Sequence, residues 1–215
     1  MIFLSEYRKT MMQNAQRQIN TKIQALPLYH QLAFGIILSE RYLPNYFAFY
    51  LAGNWGNPMV LLNGIDLLKS IIAQKHADPE ELELIDNLIE SVTPDLEDFP
   101  GNPLASLALD VSSMIAECFA FVRDEQPRHI ELCSAISFSS LEMFLQVQEQ
   151  FPHDLSAMEL DVQFSGHALV REEVEYQLGV LDALKPEPRI SSKLFIENTL
   201  KVPKVDWSGL GKMVG

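Results

Sequence analysis

Twelve prolines punctuate a sequence whose apolar residues otherwise recur at steps of three and four, and that punctuation constrains the fold most. Proline lacks an amide donor and crowds the turn before it, so it marks helix starts and ends. Before Pro27, Met12, Ala15, Ile19, Ile23 and Leu26 make one apolar helix face. A second helix runs from Leu28 through Leu32, Ile36 and Leu38 to Tyr42, where Pro44 should kink or end it. The aromatic cluster Tyr46, Phe47, Phe49 and Tyr50 follows, closed by the turn-forming Gly53-Asn54-Trp55-Gly56-Asn57. Pro58 opens a third helix reaching Gln74, and Asp78-Pro79-Glu80-Glu81 starts a fourth with Leu82, Ile85, Leu88 and Ile89 inward. A proline-rich loop from Thr93 to Pro103 leads to a fifth helix. Leu104, Leu107, Val111, Met114, Cys118 and Val122 form its inner face, opposite Asp110, Ser113, Glu117 and Asp124. Pro127 opens a sixth, with Ile130, Cys133, Leu141, Phe144 and Val147 inward. A last helix is expected from Ser156 to Leu184, its inward row being Leu160, Phe164, His167, Val174, Leu178 and Leu181.

Seven helices with short connections and no β-α-β alternation predict an all-α fold, a single-domain bundle over 1–185. Residues 186–215 form an irregular C-terminal tail that includes Pro186, Pro188 and a strand-like alternation around Lys201–Trp207. The tail is apolar at Leu194, Phe195, Ile196, Leu200, Val202, Val205 and Trp207, so it is expected to dock on the body or on a second subunit. Charge is unevenly spread. The chain carries −13, with −18 over residues 26–185 and +5 over the two ends. An acidic body repels a phosphate backbone, which argues against nucleic acid as a partner. No uninterrupted apolar run reaches the length of a membrane span, and the N-terminus lacks a signal-peptide pattern. Cys118 and Cys133 read as buried thiols of a reducing compartment. The expectation is a cytoplasmic protein with no membrane partner.

Two stretches carry a family resemblance: Leu28-Tyr29-His30-Gln31-Leu32-Ala33-Phe34 and Glu40-Arg41-Tyr42-Leu43-Pro44-Asn45-Tyr46. With the acidic loop ending at Asp98-Phe99 and the helix opened by Pro103, they resemble the YjaG-like bacterial family, domain of unknown function 416. The resemblance spans roughly residues 26–184. It implies a helical fold and carries no activity, and Ser106 stands where relatives often have an acidic residue.

Four groups of residues are candidates for chemistry. The signature block Glu40, Arg41, Pro44, Asn45 and Tyr46 fits either a pocket lining or a structural joint, in which Pro44 ends one helix and Asn45 caps the next. Glu80, Glu83, Asp86 and Glu90 share a helix face, and with Asp95 and Asp98 they suggest a Mg²⁺ site. On that alternative reading, Glu80, Glu83, Asp95 and Asp98 would serve a metal-dependent all-α hydrolase of nucleotide-like phosphates. Against it, the second pair lies in a loop, no basic cluster stands by for phosphates, and the helix dipole already explains Glu80. His167, on the inward row with Arg171 one turn on, marks a candidate pocket. The two thiols, on inward faces, are expected to be inert. No nucleophile elbow, phosphate-binding glycine loop or Cys-x-x-Cys pair occurs, so no cofactor is implied. The favoured expectation is a non-enzymatic acidic protein acting through protein contacts or self-association as a homodimer.

Overall fold

A computed structural model describes residues 2–148, 157–185 and 204–207, with the backbone alone over 2–11 and at 157, 158, 160 and 161. The described residues hold eight helices and no strand: α1 (Ile2–Gln24), α2 (Leu28–Gly53), α3 (Pro58–Gln74), α4 (Pro79–Val92), α5 (Pro103–Asp124), α6 (Pro127–Gln148), α7 (Ala157–Gly166) and α8 (Ala168–Leu184). The all-α expectation holds. Three helix starts follow one local rule, with a short polar cap and then proline in the first turn. Asn57, Asp78 and Asn102 accept from the amides of Met59, Glu80 and Leu104 at 3.0, 2.9 and 3.0 Å.

The core is built around α2, which packs on α5, α3 and α6. Gly35 on α2 lets the helices come close: a Cβ there would lie 2.7 Å from Cys118 Sγ and 2.9 Å from Ile130 Cδ1. Cys118 on α5 and Cys133 on α6 are fully buried free thiols with sulfurs 3.9 Å apart. The hydrogen bond with Cys118, then burial, push the Cys133 thiol well above its usual range. By length and composition α5 and α6 could each cross a bilayer, but about half of each apolar window is buried inside the bundle, as befits core helices.

Three expectations give way. First, α2 does not end at Pro44; it continues to Gly53 and takes in the aromatic cluster, so Asn45 caps nothing and is fully buried mid-helix. Second, the last helix is two, because His167 adopts an extended backbone and caps α8. Third, Leu88 on α4 faces outward at 40% exposure, while Leu82, Ile85, Ile89 and Val92 carry the inner face. The side chain of Leu160 and the tail residues Leu194, Phe195, Ile196, Leu200 and Val202 lie outside the described residues.

Candidate functional site: the signature helix and the segment it holds

An interior proline removes one helical hydrogen bond, the one its amide would have made to the carbonyl four residues back. For Pro44 that carbonyl is Glu40's. It is taken instead by Lys204, whose Nζ donates to it at 2.9 Å. One residue further on, the Arg41 carbonyl accepts from the Val205 amide at 2.8 Å. Asn45, beside the proline, turns its Oδ1 to the Trp207 amide at 2.9 Å. The Trp207 ring then stacks on Phe144 of α6, with centroids 4.5 Å apart and planes 14° off parallel, and meets Tyr42 edge-on at 5.4 Å. A segment 160 residues away thus satisfies the backbone that the proline opens, which is why α2 can run through it. Burial lowers the Lys204 pKa, aided by nearby Lys69 and opposed by Glu40.

Side chains of the signature tie the remaining helices to the same place. Glu40 accepts from Lys69 of α3 at 2.7 Å. Arg41 reaches Glu173 of α8 with Nη2 at 3.1 Å and Nε at 3.2 Å, and its guanidinium lies 3.9 Å over the Tyr176 ring. Glu173 is only 3% exposed, and its other oxygen accepts from Gln177 at 3.0 Å. Gln177 in turn donates to Ser137 at 2.7 Å and accepts from Ser134 at 2.6 Å. Tyr42 donates to the Ser137 carbonyl at 3.2 Å; burial, then the Glu173 charge, keep its hydroxyl protonated well above the usual range. Burial carries Tyr176 up to about 12. Tyr46 donates to the Val92 carbonyl at 2.5 Å and so fastens the end of α4. Removing one partner from a buried pair such as Arg41–Glu173 leaves a bare buried charge, which makes the network a lock on helix position.

The other candidates lie apart. Glu80, Glu83, Asp95 and Asp98 are all exposed. Asp95 accepts from the Glu97 amide at 2.9 Å within its own loop, and Asp86 pairs with Arg123. Among the described residues no three His, Cys, Asp or Glu side chains are grouped to hold a metal ion. His167 accepts from the Leu169 amide at 3.2 Å, and exposed Arg171 donates to the Gly166 carbonyl at 2.9 Å, so together they close the α7–α8 joint. The expected inward position of His167 is replaced by a capping one. His129 sits between Glu117, at 2.5 Å, and Asp124, at 3.0 Å. Burial pulls its pKa down, but the bonds to the two carboxylates outweigh this and the net shift is upward.

Sequence reasoning singled out Glu40, Arg41, Pro44, Asn45 and Tyr46, and expected Val205 and Trp207 to dock on the body or on a second subunit, but it did not join them to this block and missed Lys69, Glu173, Gln177 and Lys204. The strand-like alternation around Lys201–Trp207 was the available signal for Lys204, since an extended segment needs a partner for its amides.

These features define a class: an α-helical bundle whose central, proline-interrupted helix holds the chain's own C-terminal segment. The chain belongs to the DUF416 family, described as a protein of unknown function, whose model matches residues 18–205. The match is longer at both ends than the resemblance read from the sequence and takes in Lys204 and Val205. Among solved structures, the chain is similar to a DUF416 family protein from Shewanella baltica OS155, with a TM-score of 0.73 and 24% identity. That similarity covers 85% of this chain and 91% of the other, and it supports the fold. No curated protein matches.

Proposed function

We propose that this chain is a non-enzymatic helical protein that acts through protein contacts, and that the groove beside Pro44 is a contact surface able to take the C-terminal segment of a second copy. One observation carries the reading: the Glu40–Tyr46 stretch of α2 engages a segment distant in sequence, residues 204–207. Two backbone carbonyls, one asparagine amide and an aromatic slot receive residues 204–207. Such a constellation recognises main chain and one large side chain, the usual logic of peptide docking. Arg41, Tyr42 and Tyr46 are engaged in holding helices together, and Asn45, Tyr42 and Tyr46 are at most 1% exposed. Exchange of an identical element between copies is a low-cost route to a dimer. The acidic body disfavours nucleic acid as partner, and the two free thiols suit a reducing, cytoplasmic setting.

Light scattering after size exclusion tests this on the full chain, on Trp207→Ala and on a chain lacking residues 186–215. The reading expects a dimer for the full chain and a shift toward monomer in both variants. The same mass and the same melting midpoint in all three would remove the tail's role.

A further inference from the structure

A buried polar atom left without a hydrogen bond is costly, and an occupant that supplies the missing partner gains by doing so. Among the described residues, two such atoms stand at the Pro44 groove: Glu40 Oε2 and Asn45 Nδ2. Each belongs to a group whose other polar atom is engaged. Glu40 Oε1 accepts from Lys69 at 2.7 Å, and the Oδ1 of fully buried Asn45 accepts from the Trp207 amide at 2.9 Å. Residues 204–207 therefore sit in the groove with two contacts unmade. The mismatch is plainest at Glu40. Lys204 donates its ammonium to the Glu40 backbone carbonyl at 2.9 Å and leaves Oε2 of the same residue bare. Burial acts against that ammonium, the Glu40 carboxylate attracts it through space, and Lys69 repels it.

Arginine suits this place better. Its guanidinium is more weakly hydrated than an ammonium, so burial costs it less. It also offers five donors in a planar fork, enough to serve the Glu40 carbonyl and Oε2 together. An identical segment from a second copy would leave the same two atoms bare, so exchange between copies does not complete the groove. The body carries −18 over residues 26–185, which draws a basic segment toward it. We propose that an extended basic segment of another protein completes the groove, with Arg at the place of Lys204 and Trp at the place of Trp207, and that residues 204–207 hold the groove in its absence. The proposal rests on reading the groove as a peptide site and does not require self-association.

Fluorescence anisotropy tests it with labelled peptides of residues 201–211: the native sequence, Lys204→Arg and Trp207→Ala. Each is added to the parent chain and to a full-length Trp207→Ala variant, whose own segment is weakened. On that variant the native peptide should bind with a dissociation constant of about 1 mM or tighter. The Lys204→Arg peptide should bind about tenfold more tightly than the native one, and the Trp207→Ala peptide at least about tenfold more weakly. The parent chain, in which residues 204–207 compete, should bind the Lys204→Arg peptide at least about tenfold more weakly than the variant does. Glu40→Gln added to the variant should erase the arginine preference while the native peptide stays within about threefold, which a merely unfolded chain would not show. No binding of any peptide to the variant at about 1 mM removes the peptide-site reading and this inference together. Equal affinity of the lysine and arginine peptides overturns this inference alone, as does equal binding to the parent and variant chains.

Discussion

Gly35 shows how a single position sets the spacing of the core. Inside a helix, glycine costs about 0.5–1 kcal/mol relative to alanine, so Gly35→Ala would ordinarily stabilise. Here the added methyl meets the Cys118 sulfur at 2.7 Å and Ile130 at 2.9 Å, both fully buried. Overpacking of that kind costs about 1–3 kcal/mol and wins. Gly35→Ala is therefore expected to lose about 1–2 kcal/mol, read as a lower urea midpoint with an unchanged slope. Asp110 offers a second residue-scale test. Burial lifts its carboxyl to about 6, against a partly compensating hydrogen bond of 2.5 Å from Ser140. Because the folded value is raised, the stabilising protonated form is fully present below the unfolded value, and that stability is lost as pH climbs through about 6. Asp110→Asn should thus raise the melting midpoint at pH 7, by up to about 2 kcal/mol of stability, and leave the parent and variant alike near pH 4. Thermal melts across that range check it; a variant less stable than the parent at pH 7 would contradict the sign. At this scale much was legible. Asn57, Asp78 and Asn102 are caps because a short polar side chain before a proline has one local use. The left-handed residues Asn54, Lys75 and Glu125 were not legible, because nothing in Lys or Glu announces such a backbone.

α2 is the element where local rules and tertiary structure part. Reading outward from Pro44, a break is the correct local inference, since the missing bond costs a helix interior about 3 kcal/mol. The compensation comes from Lys204 and Val205, too distant in sequence for any window to reveal. The same account makes a specific prediction. Pro44→Ala restores an amide to compete for the Glu40 carbonyl, so Lys204 should be displaced while the helix itself is strengthened. Trypsin is expected to cut after Lys204 about tenfold faster in the variant, with the melting midpoint of the bundle no lower than the parent's. Cleavage at the parent rate would mean that the carbonyl left open by Pro44 does not hold the segment. The α7–α8 break failed to show for a related reason. His167 fits an apolar row by spacing, yet its ring accepts the Leu169 amide as a cap would, and histidine is not a residue that advertises capping. The starts of α3, α4 and α5 were readable because each is decided by neighbours within three residues.

At the scale of the molecule, apolar residues at helical spacing between prolines pointed to a helical bundle, and fold class is where the sequence was most informative. The site was half visible. Its α2 side was singled out in the sequence as Glu40, Arg41, Pro44, Asn45 and Tyr46, whereas Glu173, Gln177 and Trp207 reach it only through the packing of α8, α6 and the C-terminal segment. The acidic run from residue 76 to 122, with eleven carboxylates and no lysine or arginine, looks like metal-binding material in sequence. In space Asp110 meets Ser140, Glu117 meets His129, Asp86 pairs with Arg123, and the rest cap a helix, brace their own loop or face solvent. Melting midpoints in EDTA and in millimolar Mg²⁺ or Mn²⁺ should therefore agree within about 1 °C, whereas a metal-selective rise of several degrees would restore the hydrolase reading. The central claim is that the signature block clasps residues 204–207. Amide hydrogen exchange of Val205 and Trp207, followed by NMR in the full chain and in Asn45→Ala, tests it most directly. The Val205 and Trp207 amides should exchange about 100-fold more slowly than in an unstructured peptide, with Trp207 losing its protection in Asn45→Ala. Exchange at the unstructured rate in the parent chain would contradict the account.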